Sequence, residues 1–106
     1  MITHSSWVHA NTADNATATA TKAAPSGGIS HYITSISGGY SATKSGKTLI
    51  LKEGSTEVAR WYVYDEKTID FSKPLKLSPG VVANLVLEAS GTASNNGTAT
   101  MTGYTK

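Results

Sequence analysis

Apolar and polar residues alternate with a period of two through almost every segment of this 106-residue chain. Turn residues break the alternation roughly every 8–12 positions. That pattern constrains the fold more than any other feature. A side chain every second position on one face is the signature of a half-buried strand, and no stretch shows the 3.6-residue period of an amphipathic helix. The chain is long enough for one core and too short for two.

The segments follow from this rule. Residues 16–21 read Ala-Thr-Ala-Thr-Ala-Thr, with methyls on one face and hydroxyls on the other. Pro25-Ser26-Gly27-Gly28 ends that strand, and residues 29–36 (ISHYITSI) form the next, closed by a loop at Gly38-Gly39. Residues 47–52 (KTLILK) and 57–64 (EVARWYVY) flank Glu53-Gly54-Ser55-Thr56 and read as a hairpin. In its second strand Ala59, Trp61 and Val63 share one face, while Val58, Arg60, Tyr62 and Tyr64 share the other. Both faces carry bulk, so one is expected in the core and the other at a contact surface. Short strands are expected at 68–71 and 98–104, with Pro79-Gly80 and residues 91–97 as turns. Residues 81–89 (VVANLVLEA) have helix formers, but their Val content and the strands around them favour a strand. Seven or eight strands without a helix predict one all-β antiparallel sandwich. A jelly-roll-like topology is the first expectation and an immunoglobulin-like one the alternative, since strand pairing is not written in the alternation.

Residues 1–14 are largely polar, carry no clear period and offer Trp7 and Val8 as apolar anchors. They are expected to form an N-terminal arm that orders against a neighbouring surface, with the sandwich domain spanning 15–106.

Charged residues make up 15% of the chain, where about 25% is usual, and Ser and Thr fill the difference. A surface of hydroxyls is weakly defended against protein contact, which suits a subunit of an assembly. The net charge of +2 comes without a dense basic stripe, so no nucleic-acid footprint is expected. With no cysteine there are no disulfides or thiolate sites. No apolar run reaches a membrane span. The first residues lack the basic and apolar regions of a signal peptide, which predicts a product made in a cytoplasm.

The chemistry-bearing motifs fail on context. Ser45-Gly46-Lys47-Thr48 ends like a phosphate-binding loop, but Ser41 stands where the first Gly is needed and a strand follows instead of a helix. His4, His9 and His31 do not sit at zinc-ligand spacing, and Asp65, Glu66 and Asp70 match no calcium loop. No nucleophile elbow is present. The sequence therefore predicts no enzyme, no cofactor and no metal.

The order of segments resembles a group of small virion proteins of tailed bacteriophages. The shared elements are the strand His31 to Ile36, the Leu-x-Leu-Lys-x-Gly hairpin at 49–54, the segment Ile69 to Leu75 before the Pro/Gly turn, the strand end at 87–92, and Gly103-Tyr104-Thr105. The resemblance covers about residues 16–105 and leaves the arm outside. It implies a jelly-roll-like capsid decoration (cement) subunit on the virion surface. Such a subunit would be a homotrimer bound to the major capsid protein, with no nucleic acid or membrane partner. Trp7, Val8, Arg60, Tyr62 and Tyr64 are the candidate subunit or capsid contacts. A receptor- or glycan-binding module of a tail fibre or baseplate is the alternative.

Overall fold

The computed structural model describes residues 5–42 and 46–106. Its eight strands are β1 (Ser5–Asp14), β2 (Ala18–Lys22), β3 (His31–Tyr40), β4 (Lys47–Glu53), β5 (Thr56–Val63), β6 (Glu66–Lys76), β7 (Ala83–Leu87) and β8 (Asn96–Thr105). They form two four-stranded antiparallel sheets. Sheet A has the order β1-β8-β3-β6 and sheet B the order β2-β7-β4-β5.

This order decides the topology. β1 pairs with β8, β2 with β7, β3 with β6 and β4 with β5, so the chain runs as one long hairpin. The β3–β8 and β4–β7 pairings then roll it into two layers. That is a jelly roll, and the immunoglobulin-like alternative has a different strand order.

The period-two pattern does what it predicts. Ala18, Ala20, Ala83, Leu85, Leu87, Leu49 and Leu51 point inward from sheet B, and Trp7, Ile33, Ile36, Ala99 and Met101 from sheet A. Each fully buried Leu or Ile contributes about 1.5–3 kcal/mol. Residues 83–87 are a strand, as their burial alternation requires. The β4–β5 hairpin has Glu53 opposite Thr56 across a two-residue loop, with Gly54 at φ 62. A left-handed residue at that place fits the twist of the flanking strands.

Four expectations are corrected. Residues 5–14 are no arm: they form β1, paired with β8 over its whole length. The reason is that the gaps on the neighbouring strand are glycines, so a sparse set of side chains fills them. Trp7 lies opposite Gly103 and Ala13 opposite Gly97. Secondly, Gly38 and Gly39 continue β3. Gly38 has no side chain to obstruct the Leu49 and Leu87 methyls, which would lie 3.1 and 3.2 Å from a Cβ there. Thirdly, β6 is longer than the short strand expected at 68–71 and includes Pro74. From Ile33↔Leu75 to Ser35↔Asp70 the register advances two residues along β3 and five along β6, so residues 71–74 bow out. β6 is a sheet edge, where Pro and a bulge are tolerated. Finally, Asn96-Gly97 belongs to β8 rather than to the preceding turn, where Gly91 and Ser94 take the positive φ values.

Candidate contact surfaces

The five residues expected at contacts do not form one site. Trp7 is buried, at 8% exposure. Its indole N–H donates to Thr105 Oγ1 at 2.9 Å, and its ring meets His31 edge-on at 5.5 Å. As a core residue it is corrected from the contact set. Its neighbour Val8 points the other way and is 64% exposed on the outer face of sheet A. Arg60 and Tyr62 project from the outer side of β5, in the other layer, and Tyr64 follows the end of that strand; Tyr62 is 56% and Tyr64 65% exposed. Arg60 is held in place there. Its Nη2 lies 2.8 Å and its Nε 3.3 Å from the two Glu57 carboxylate oxygens. The bond to Glu57 and its charge raise the pKa of the guanidinium, and the bond to Tyr62 adds to the effect. The same bond holds the Glu57 carboxyl below its usual range.

The outer face of sheet A has a different character. Its two central strands present Thr98, Thr100, Thr102 and Tyr104 from β8, and Tyr32, Ser35, Ser37 and Gly39 from β3. None of these is charged. β1 adds Val8, Ala10 and Thr12 beside Thr102, Thr100 and Thr98. The Thr12 and Thr98 hydroxyls are 2.8 Å apart, and Tyr32 stacks on Tyr104 with ring centroids 5.0 Å apart. A hollow of about 320 Å³ opens where Gly39 lacks a side chain between Thr98 and Glu66. Sequence reading missed this face. The Thr alternation at 98–102 was visible, but the strands beside it were not.

The end of the sandwich holds a buried polar chain that was also missed. His31 is 1% exposed. Its Nε2 lies 2.7 Å from the Ala23 carbonyl oxygen, which can only accept, so Nε2 carries the proton. Nδ1 then accepts from the Thr105 hydroxyl at 2.7 Å, and that hydroxyl accepts from Trp7. The neutral ring completes every bond in the chain. A second proton would turn Nδ1 into a donor aimed at a hydroxyl already receiving one. Burial lowers the His31 pKa most; the Ala23 bond opposes this, while Lys22 and His9 add repulsion.

A pH dependence follows. The unfolded histidine titrates near 6.5 and the native one lower. Between those values the unfolded chain binds a proton that the native chain refuses, so unfolding becomes easier as pH falls through this window. Above it the histidine contributes no slope. We expect the urea midpoint to be lower at pH 5.5 than at pH 8, with a His31 ring signal by NMR titrating below 6.5. A ring signal titrating at or above 6.5 would contradict the assigned bonding.

Among the described residues, no group of three or more His, Asp or Glu side chains is placed to hold a metal ion. Both His31 nitrogens are occupied, and His4 lies outside the described residues. In the phosphate-loop-like motif, Ser45 is also outside, and Lys47 and Thr48 open β4. Glu88 instead organises that end: it accepts from the Thr48 N–H at 3.0 Å and hydroxyl at 3.2 Å, and sits 3.8 Å from Lys47 Nζ. Tyr40 donates to the Glu88 carbonyl at 2.6 Å. Burial, with the Glu88 charge second, pushes its phenol up to about 12.

No family model and no curated protein matches the chain. Among solved structures it is similar to a carbohydrate-binding module, CBM36, in complex with calcium and xylotriose. The match covers 99% of this chain and 98% of that one, at 11% identity and a TM-score of 0.43. The fold assignment made above stands on this chain's own strand order.

Proposed function

We propose that the protein acts by contact alone, as a structural virion subunit that decorates the outside of a phage head and bridges its major capsid proteins. The observation that carries this reading is the outer face of sheet A, uncharged on its two central strands and, beyond the Tyr32–Tyr104 stack at one end, built of short Thr, Ser and Gly residues with Val8 and Ala10 beside them. Short side chains lose little rotamer freedom on contact, and hydroxyls are cheaper to desolvate than charges. Such a face suits close apposition to a large, flat shell. Many copies on one particle gain from effective concentration, so each contact can be modest. No bond is made or broken in this role.

The test uses expanded heads that lack the subunit. The purified chain should bind them saturably and raise their resistance to heat. Carrying Val8→Lys and Thr100→Lys together, it should lose that binding while its own melting temperature stays nearly unchanged, because both changes lie on the surface. Unaltered binding by the double variant would remove sheet A from the contact.

One observation favours the glycan-binding reading. Tyr62 on β5 and Tyr64 just past its end are both exposed, and exposed rings can stack on sugars. Binding to host glycans that is lost in Tyr62→Ala and Tyr64→Ala, with no binding to heads, would replace the decoration reading with this one.

A further inference from the structure

The two sheets leave four edges, β1 and β6 in sheet A and β2 and β5 in sheet B. An open edge offers a row of unpaired backbone donors and acceptors to another strand, and proteins usually blunt it. β2 is only five residues long. β6 carries Pro74, the bulge at 71–74 and the charges of Glu66, Lys67, Asp70, Lys73 and Lys76. β1 is polar, with low-propensity Ser, Asn and Asp residues. β5 has its bulge at Val58, but over residues 59–63 (ARWYV) it is regular, without proline and with Arg60 as its one charge, and Trp61, Tyr62 and Val63 favour a strand. It pairs with β4 alone.

We propose that two copies of this chain associate through β5, edge to edge and antiparallel, about a twofold axis at Trp61. The occupant is identified by self-complementarity. In a continuous sheet, outward residues must face outward residues, so the axis passes through a residue and not between two. An axis at Arg60 would set two guanidiniums against each other. An axis at Trp61 sets Arg60 opposite Tyr62 of the second copy, twice, within the regular part of the strand. Two exposed side chains of this edge then meet across the axis: Tyr62 at 56% and the Arg60 side chain at 44% exposure. Guanidinium over phenol is a favourable pair, and its Glu57 bonds hold Arg60 in place on the same face. This twofold arrangement differs from the trimer that the resemblance implies. It leaves the outer face of sheet A free, so it stands or falls independently of head binding.

The experiment is light scattering on the full chain over a concentration series. The expected mass is twice 11.0 kDa, falling toward 11.0 kDa on dilution. Tyr62→Lys places a cation opposite Arg60 of the second copy and should weaken association about tenfold or more, while the melting temperature at monomer concentrations stays nearly unchanged because the site is exposed. Adding Arg60→Glu should restore the dimer, because the reversed charges again face each other across the axis. A protein that stays monomeric at high concentration, a trimer, or a dimer indifferent to Tyr62→Lys would each overturn the proposal. Thr100→Lys, on the other layer, should leave the mass unchanged.

Discussion

Gly103→Ala should lower stability by about 3 kcal/mol or more, at and beyond the upper end of ordinary overpacking. Gly103 lies in β8 between Trp7 of β1 and Ile33 of β3. A Cβ there would overlap the Tyr32 carbonyl oxygen and come within 2.9 and 3.0 Å of Trp7 Cη2 and Cζ2. Neither obstacle is a flexible chain end. The carbonyl belongs to the central strand of sheet A, and the indole is held by its Thr105 bond and its His31 contact. In a domain with about 5–15 kcal/mol in total, the melting temperature should fall by roughly 12–24 °C. Two other glycines calibrate the result. At Gly38 the added methyl meets only Leu49 and Leu87 side-chain ends, so the loss should be smaller. At Gly27 nothing lies within 4 Å, and alanine should be almost neutral. A Gly103→Ala protein melting within two or three degrees of the parent, by calorimetry or circular dichroism, would mean that Trp7 does not lie over this strand.

The Gly103 position also shows where sequence reading stops. Alternation made the sandwich legible, because period two is a local property: Ala18 and Ala20, or Leu85 and Leu87, point inward wherever their strands end up. β1 escaped because its inward face is not a local property. Of its inward residues only Trp7 and Ala13 are apolar, and they suffice because the strand beside them has Gly103 and Gly97 at the opposing positions. Residues ninety positions apart share that information. The same holds for the choice between jelly roll and immunoglobulin-like order, which depends on β8 reaching both β1 and β3. Gly38-Gly39 and Pro74 misled for a related reason. As punctuation they mark turns, yet tight sheet packing admits Gly38 and an edge bulge admits Pro74. Among the contact residues, the exposure of Arg60 and Tyr62 was legible from the alternation of β5, with Trp61 and Val63 facing inward. Trp7 was not, since its burial is decided entirely by a glycine on another strand.

Trp7→Ala provides the complementary test, and it separates a strand from an arm. If residues 5–14 only rested on a neighbouring subunit, removing Trp7 would leave the isolated chain as stable as before. Here Trp7 is in the core, so truncation should cost about 3–5 kcal/mol and leave the protein largely unfolded or melting far lower. Part of that loss is the indole–Thr105 bond. Trp7→Phe keeps an aromatic ring against His31 but removes both the donor and the indole end packed on Gly103, so it should cost more than the roughly 1 kcal/mol of the bond and less than Trp7→Ala. The Lys22 ammonium, 5.9 Å above the Trp7 ring, should contribute less, since it sits at a partly exposed site. Combining Trp7→Ala with Gly103→Ala then tests the contact itself. With the indole gone, the added methyl clashes only with the Tyr32 carbonyl, so the double variant should lose less than the two single losses together. Strict additivity would place the two residues apart, and with them the whole β1–β8 register. A chain carrying Trp7→Ala that melts like the parent would return residues 5–14 to the status of an arm.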